Sequence, residues 1–141
     1  MRRHADWQEA LSCFLLVNSG RSFEWGRWDC CLWVADAIEV MTEVDIAAEF
    51  RGEYRNYREA LMSMRRHFGD WRIEVAVEKV AAAHSMGAVP VAMARRGDLV
   101  LIGNGRRFVT GIVDLNGRQL IALADRLIRI PISLARRAWR V

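Results

Sequence analysis

The sequence predicts one α+β domain, with N-terminal helices packed on a C-terminal antiparallel sheet. Two observations carry this. Up to about residue 88 apolar side chains recur at three- and four-residue spacings, and beyond Pro90 they alternate in pairs, which are the periods of a half-buried helix and a half-buried strand. Length supplies the third: 141 residues suit one domain of ~100–200 residues and hardly two. A single domain over 1–141 is expected, helical over 1–88 and β-rich over 89–141, with no internal repeat and no linker.

Asp6-Trp7-Gln8-Glu9 reads as a capping box opening the first helix, in which an N-cap carboxylate accepts from the N3 amide and Glu9 reaches back. Trp7, Leu11, Phe14 and Leu15 make its apolar stripe, and Asn18-Ser19-Gly20 its stop. Asp29 is the next N-cap candidate, opening a helix over Cys30 to Met41 with Cys31, Val34, Ile38 and Met41 on one face. Thr42 to Tyr54 suggests a short helix, and Asn56-Tyr57-Arg58-Glu59 a second capping box, for a helix ending at Gly69. Asp70 to His84 alternates like a strand at Ile73, Val75 and Val77, but Glu74, Glu78 and the alanine run favour a helix. Strands are predicted at Leu99 to Ile102, Phe108 to Leu115, Gln119 to Ala124 and Leu127 to Ile130. Asn104-Gly105 and Asn116-Gly117 supply hairpin turns, because both dipeptides tolerate the positive φ of a type I′ turn.

Composition narrows the function classes. With 52% hydrophobic residues and 27% charged the chain can bury a core, which excludes disorder. Charges interrupt every apolar run before the ~18 residues of a membrane span, so no membrane partner is expected. Met1-Arg2-Arg3-His4 is followed at once by Asp6, Gln8 and Glu9, so no secretory leader is expected either. The net charge of +4 is unevenly spread: residues 1–70 hold 9 Arg and 12 acids, net −3, and residues 71–141 hold 12 basic residues and 5 acids, net +7. The arginine pairs of the basic half (95/96, 106/107, 136/137) have no aromatic interleaving, so nucleic acid is not the expected partner and an assembly contact is.

Cys13, Cys30 and Cys31 are an odd count, which favours reduced thiols over a disulfide framework. Adjacent cysteines do not easily share one ion, and His4, His67 and His84 stand at no ligand spacing, so no cofactor and no self-contained metal site is expected; a site shared with a partner stays open. The chemistry concentrates at Phe23-Glu24-Trp25-Gly26-Arg27-Trp28-Asp29-Cys30-Cys31-Leu32-Trp33. A cysteine in the first turn of a helix meets free N–H groups and the positive end of the dipole, which stabilise a thiolate nucleophile. The alternative is that both cysteines are small core residues under a tryptophan-rich loop.

These residues resemble the NlpC-type cell-wall peptidases, which are papain-like. They resemble more closely a set of short phage proteins related to those peptidases and found with tail-tip genes. Trp25-Gly26 then Asp29-Cys30 is similar to the family's loop and nucleophile. Arg96-Gly97-Asp98-Leu99-Val100 is similar to the turn entering its first central strand, and Gly111-Ile112-Val113 to the strand that usually reads H-V-G-I. The Phe23 to Thr42 and Asp45 to Tyr54 segments and the terminal Ala138-Trp139-Arg140 fit the phage subgroup. The resemblance implies a papain-like fold with Cys30 as the candidate nucleophile.

The family's proton-accepting histidine is missing: Val109 stands at its position, and the following strand offers Gln119 at its rim. His84 is the one histidine left that could approach from a loop. A base held by a third group is what lets such a thiol attack an amide and protonate its leaving amine. The expectation is therefore a structural or assembly component of a phage or phage-like tail tip or baseplate, present in several copies beside other tail proteins in the virion. The alternative is an active peptidase or amidase on peptidoglycan, with Cys30 and an unrecognised base. Trp25, Trp28, Asp29 and Trp33 around Cys30 are the binding candidates, the tryptophans forming either a glycan-binding wall or a buried plug.

Overall fold

The change of period near Pro90 divides the structure as expected. The computed structural model describes residues 1–141 apart from the side chain of Asn104. Among the described residues four helices come first: α1 (Trp7–Val17), α2 (Leu32–Thr42), α3 (Tyr57–Phe68) and α4 (Ile73–Ala83). Six strands follow: β1 (Ala88–Val89), β2 (Leu99–Asn104), β3 (Arg107–Val113), β4 (Gln119–Leu123), β5 (Leu127–Pro131) and β6 (Ala135–Trp139). They form one antiparallel sheet in the order β1-β6-β2-β3-β4-β5. β1 and β6 were not expected; β6 returns along β2, and Arg136 bulges out where the register shifts between Leu101 and Ile102.

Strand alternation gives the sheet two apolar faces. Leu99, Leu101, Ile112, Ile121 and Leu123 meet the helices in the main core with Leu11, Trp28, Trp33, Ile38 and Met41. Val100, Ile102, Val113, Leu120 and Ala122 form a second cluster on the other face, covered by Val91, Ile132 and Leu134.

Three local expectations change. Asp6 makes no side-chain cap bond, so α1 starts without its box and is held by the burial of Leu11 and Leu15. Thr42 to Tyr54 is not a helix of its own: Thr42 is the last residue of α2, and Glu43 to Tyr54 runs in bends and turns. Its shape is set by Arg51, whose guanidinium reaches Asp45 at 2.7 Å and Asp36 on α2 at 2.7 Å, strapping the segment to α2. The hairpin turns are not type I′. In β2–β3 the two loop residues are Gly105 and Arg106, since Asn104 pairs with Arg107, and Gly105 alone takes positive φ. In β3–β4, Gly117 with φ +69° closes a longer loop onto the Asp114 carbonyl.

The box at Asn56 does form, offset by one residue. The Asn56 side chain accepts from the Glu59 amide, and Glu59 accepts from Arg55 N–H; Gly69, φ +73°, ends α3. The Arg96-Gly97-Asp98 turn is structural. Asp98 has no exposed surface and binds Arg3 at 2.7 Å and Arg140 at 3.3 Å, tying both chain ends to the start of β2.

Candidate functional site

Asp29 organises the site. It is 1% exposed, and each carboxylate oxygen accepts two hydrogen bonds. One takes the Cys31 and Leu32 amides at 3.1 and 3.0 Å; the other takes the Gly26 amide at 3.0 Å and the Tyr54 hydroxyl at 2.7 Å. Asp29 thus caps α2 as expected, with its own carbonyl already accepting from the Trp33 amide, although the regular helix begins at Leu32 and not at Cys30. Gly26 is required by contact as well as by φ (+80°): a Cβ there would lie 2.0 Å from the Tyr54 carbonyl oxygen. Burial, then the Asp29 charge, pushes the Tyr54 hydroxyl far above the usual phenol range, so it remains a donor.

The two thiols lie together in front of α2, with Sγ atoms 4.0 Å apart, both half-buried. Adjacent cysteines do therefore converge here, with a carboxylate oxygen of Asp29 in the same cluster, within 4.8 Å. That carboxylate is already spent on its four donors, so the cluster lacks a free third ligand among the described residues. The same geometry alters the expected thiol chemistry. Asp29 takes the free amides of the helix start, and negative charge beside a thiol opposes ionisation. The Cys31 thiol is held well above its usual range by its contact with Cys30, by burial, and by charge at Cys30 and Asp29, with the Thr110 hydroxyl offsetting part.

Across from the thiols stands β3. Thr110, on the face turned to the helices, donates from its hydroxyl to the Cys30 carbonyl. Val109 alternates onto the opposite face and packs against the second cluster. The residue of β3 at the cysteines is thus Thr110, which reaches the Cys30 carbonyl and the Cys31 thiol with a hydroxyl and no basic nitrogen; this partner was missed because the strand's facing could not be read locally.

The histidines lie elsewhere. His84 ends α4 with its ring against the Val80 carbonyl, His67 pairs with Glu53 at 2.8 Å, and His4 meets the Val40 carbonyl. Among the described residues no histidine lines the cleft onto which the thiols open. That cleft, about 880 Å³, runs between α2, α3, α4 and β3. Trp25 lines it and meets Phe23 and Tyr54 edge to face. Trp28 and Trp33 do not: both are fully buried in the main core, the plug of the two alternatives.

Fold and site together define an α+β domain whose paired thiols, capped by a buried aspartate, open on a largely apolar cleft. The chain belongs to the family described as a domain of unknown function, DUF6950, whose model matches residues 2–141. No curated protein and no solved structure matches it.

Proposed function

We propose that the protein is a structural or assembly component of a phage or phage-like tail tip, built on a papain-like, NlpC-type scaffold that has lost its peptidase chemistry. The observation that carries this reading is the cysteine pair beside Thr110, whose hydroxyl donates to the Cys30 carbonyl, with no imidazole on the cleft among the described residues. Amide hydrolysis needs a group to take the thiol proton and return it to the leaving amine, a contribution of ~10²–10⁴ in rate. Part of the basic half is free to contact neighbours: Arg95, Arg96, Arg106 and Arg107 are exposed, whereas Arg137 is engaged by Glu78. Such charges set register and on-rate in an assembly more than affinity.

The test uses particles and purified protein together. Cys30→Ala should leave assembly intact, and the purified chain should release no stem-peptide fragments from peptidoglycan. Reversing Arg95, Arg96 and Arg106 to glutamate should block incorporation while the domain stays folded. Cys30-dependent peptide release would establish the peptidase reading instead, and normal incorporation of the reversed variant would remove the assembly one.

A further inference from the structure

The depth of the cleft bears on what it can hold. Apart from the thiols, its apolar walls include Ile46, Phe50, Leu61, Met64, Phe68 and Val77, contributed by the turn segment and by α3 and α4. The helix backbones there are paired within their own helices. An extended peptide entering this region would strand its amides, each costing ~1–3 kcal/mol unpaired. A hydrocarbon chain has no polar group to strand there. The mouth is different: Arg72, Arg106 and Arg107 line it, with Glu74 as the facing carboxylate besides the internally saturated Asp29. Arg72 is held by Asp70 at 2.8 Å. Among the described residues no carboxylate pairs with Arg106 or Arg107, and Arg107 lies over the Tyr57 ring, 5.4 Å from its centroid. The volume falls in the ~300–1,000 Å³ typical of small-molecule sites.

We propose that this cleft binds a single hydrocarbon chain bearing an anionic head group, with the chain between α3, α4 and β3 and the head at Arg106 and Arg107. Such binding requires neither a reactive thiol nor a tail assembly, so it stands apart from the proposed function. Calorimetry on the full chain tests it with octanoate, decanoate and dodecanoate below their micellar concentrations, and with dodecyltrimethylammonium as the cationic twin. Each added methylene should tighten carboxylate binding about fourfold, the equivalent of ~0.8 kcal/mol per buried CH₂. Dodecanoate should bind more tightly than the cationic twin. Arg106→Glu with Arg107→Glu, both exposed, should weaken dodecanoate about tenfold, the worth of a charge-assisted contact, and reverse that preference. Met64→Trp, which fills the cleft, should weaken both ligands. Absence of saturable binding, affinity independent of chain length, or full affinity in a folded Met64→Trp variant would overturn the proposal. Should Met64→Trp fail to fold, the chain-length series and the exposed arginine pair decide the matter alone.

Discussion

Replacing Asp29 by alanine should be among the most damaging single changes in the chain, through stability before any chemistry. The carboxylate satisfies four donors: the Gly26, Cys31 and Leu32 amides and the Tyr54 hydroxyl. Loss of the α2 cap costs ~1 kcal/mol. The Gly26 amide and the Tyr54 hydroxyl, both buried, lose their acceptor, at ~1–3 kcal/mol each. The expected loss is roughly 3–7 kcal/mol, a large share of the ~5–15 kcal/mol that holds a domain folded. Urea denaturation followed by circular dichroism measures it; with m of ~1–3 kcal/mol/M the midpoint should fall by roughly 2 M at unchanged m. Tyr54→Phe removes one donor and leaves the other three in place, so it should cost ~1 kcal/mol. The double variant should then cost less than the two singles added, because the hydroxyl stranded by the first change is gone. An Asp29→Ala loss below about 1 kcal/mol, or strict additivity with Tyr54→Phe, would refute the view that Asp29 is the pin joining the Trp25-Gly26 loop, the Tyr54 segment and α2.

Gly26→Ala should prevent folding, since its Cβ would meet the Tyr54 carbonyl at 2.0 Å. Gly52→Ala, at φ +72° but in open space, should cost only the ~1–2 kcal/mol of left-handed backbone, and comparing soluble yield and melting temperature separates the two effects. Asp98→Ala leaves Arg3 and Arg140 facing each other without their shared carboxylate, an expected loss of ~3–5 kcal/mol by chemical denaturation. With the exposed Cys13 replaced by serine, alkylation of the thiols should carry a component that rises at higher pH than an ordinary thiol's, because the raised Cys31 thiol yields thiolate late; adding Cys31→Ser should remove that component in a maleimide rate–pH profile. Hydrogen bonding from Arg51 holds the Asp45 carboxyl below the usual range, so this pair stabilises the fold above the unfolded-state pKa, and the stability is lost as pH falls through the lower native value. Asp45→Asn should therefore destabilise at neutral pH and converge on the parent in acid. Asp36, pushed up by burial, runs the opposite way and should be left in place in that comparison.

What depends on neighbours a few residues apart can be read along the chain. The change from helical to strand period near Pro90, the Asn56 cap, the Gly69 stop and the aspartate beside the cysteines were legible because each is a local match of side chain to backbone. The remaining features depend on contacts between distant parts of the chain. β6 was hidden because Arg136 and Arg137 break its apolar pattern, and β1 because two residues carry no period; both exist through pairing with distant partners, Ala88 with Trp139 and Leu99 with Trp139. The Thr42 to Tyr54 segment looked helical, but Arg51 holds it in turns against Asp36 and Asp45. At the site, Asp29 beside Cys30 could be read from the chain. That Thr110 and not Val109 meets the thiols, and that Trp28 and Trp33 close the core behind them, could not. A strand's side chains alternate, so a shift of one position exchanges its two faces, and only packing against α2 selects which face the cysteines see.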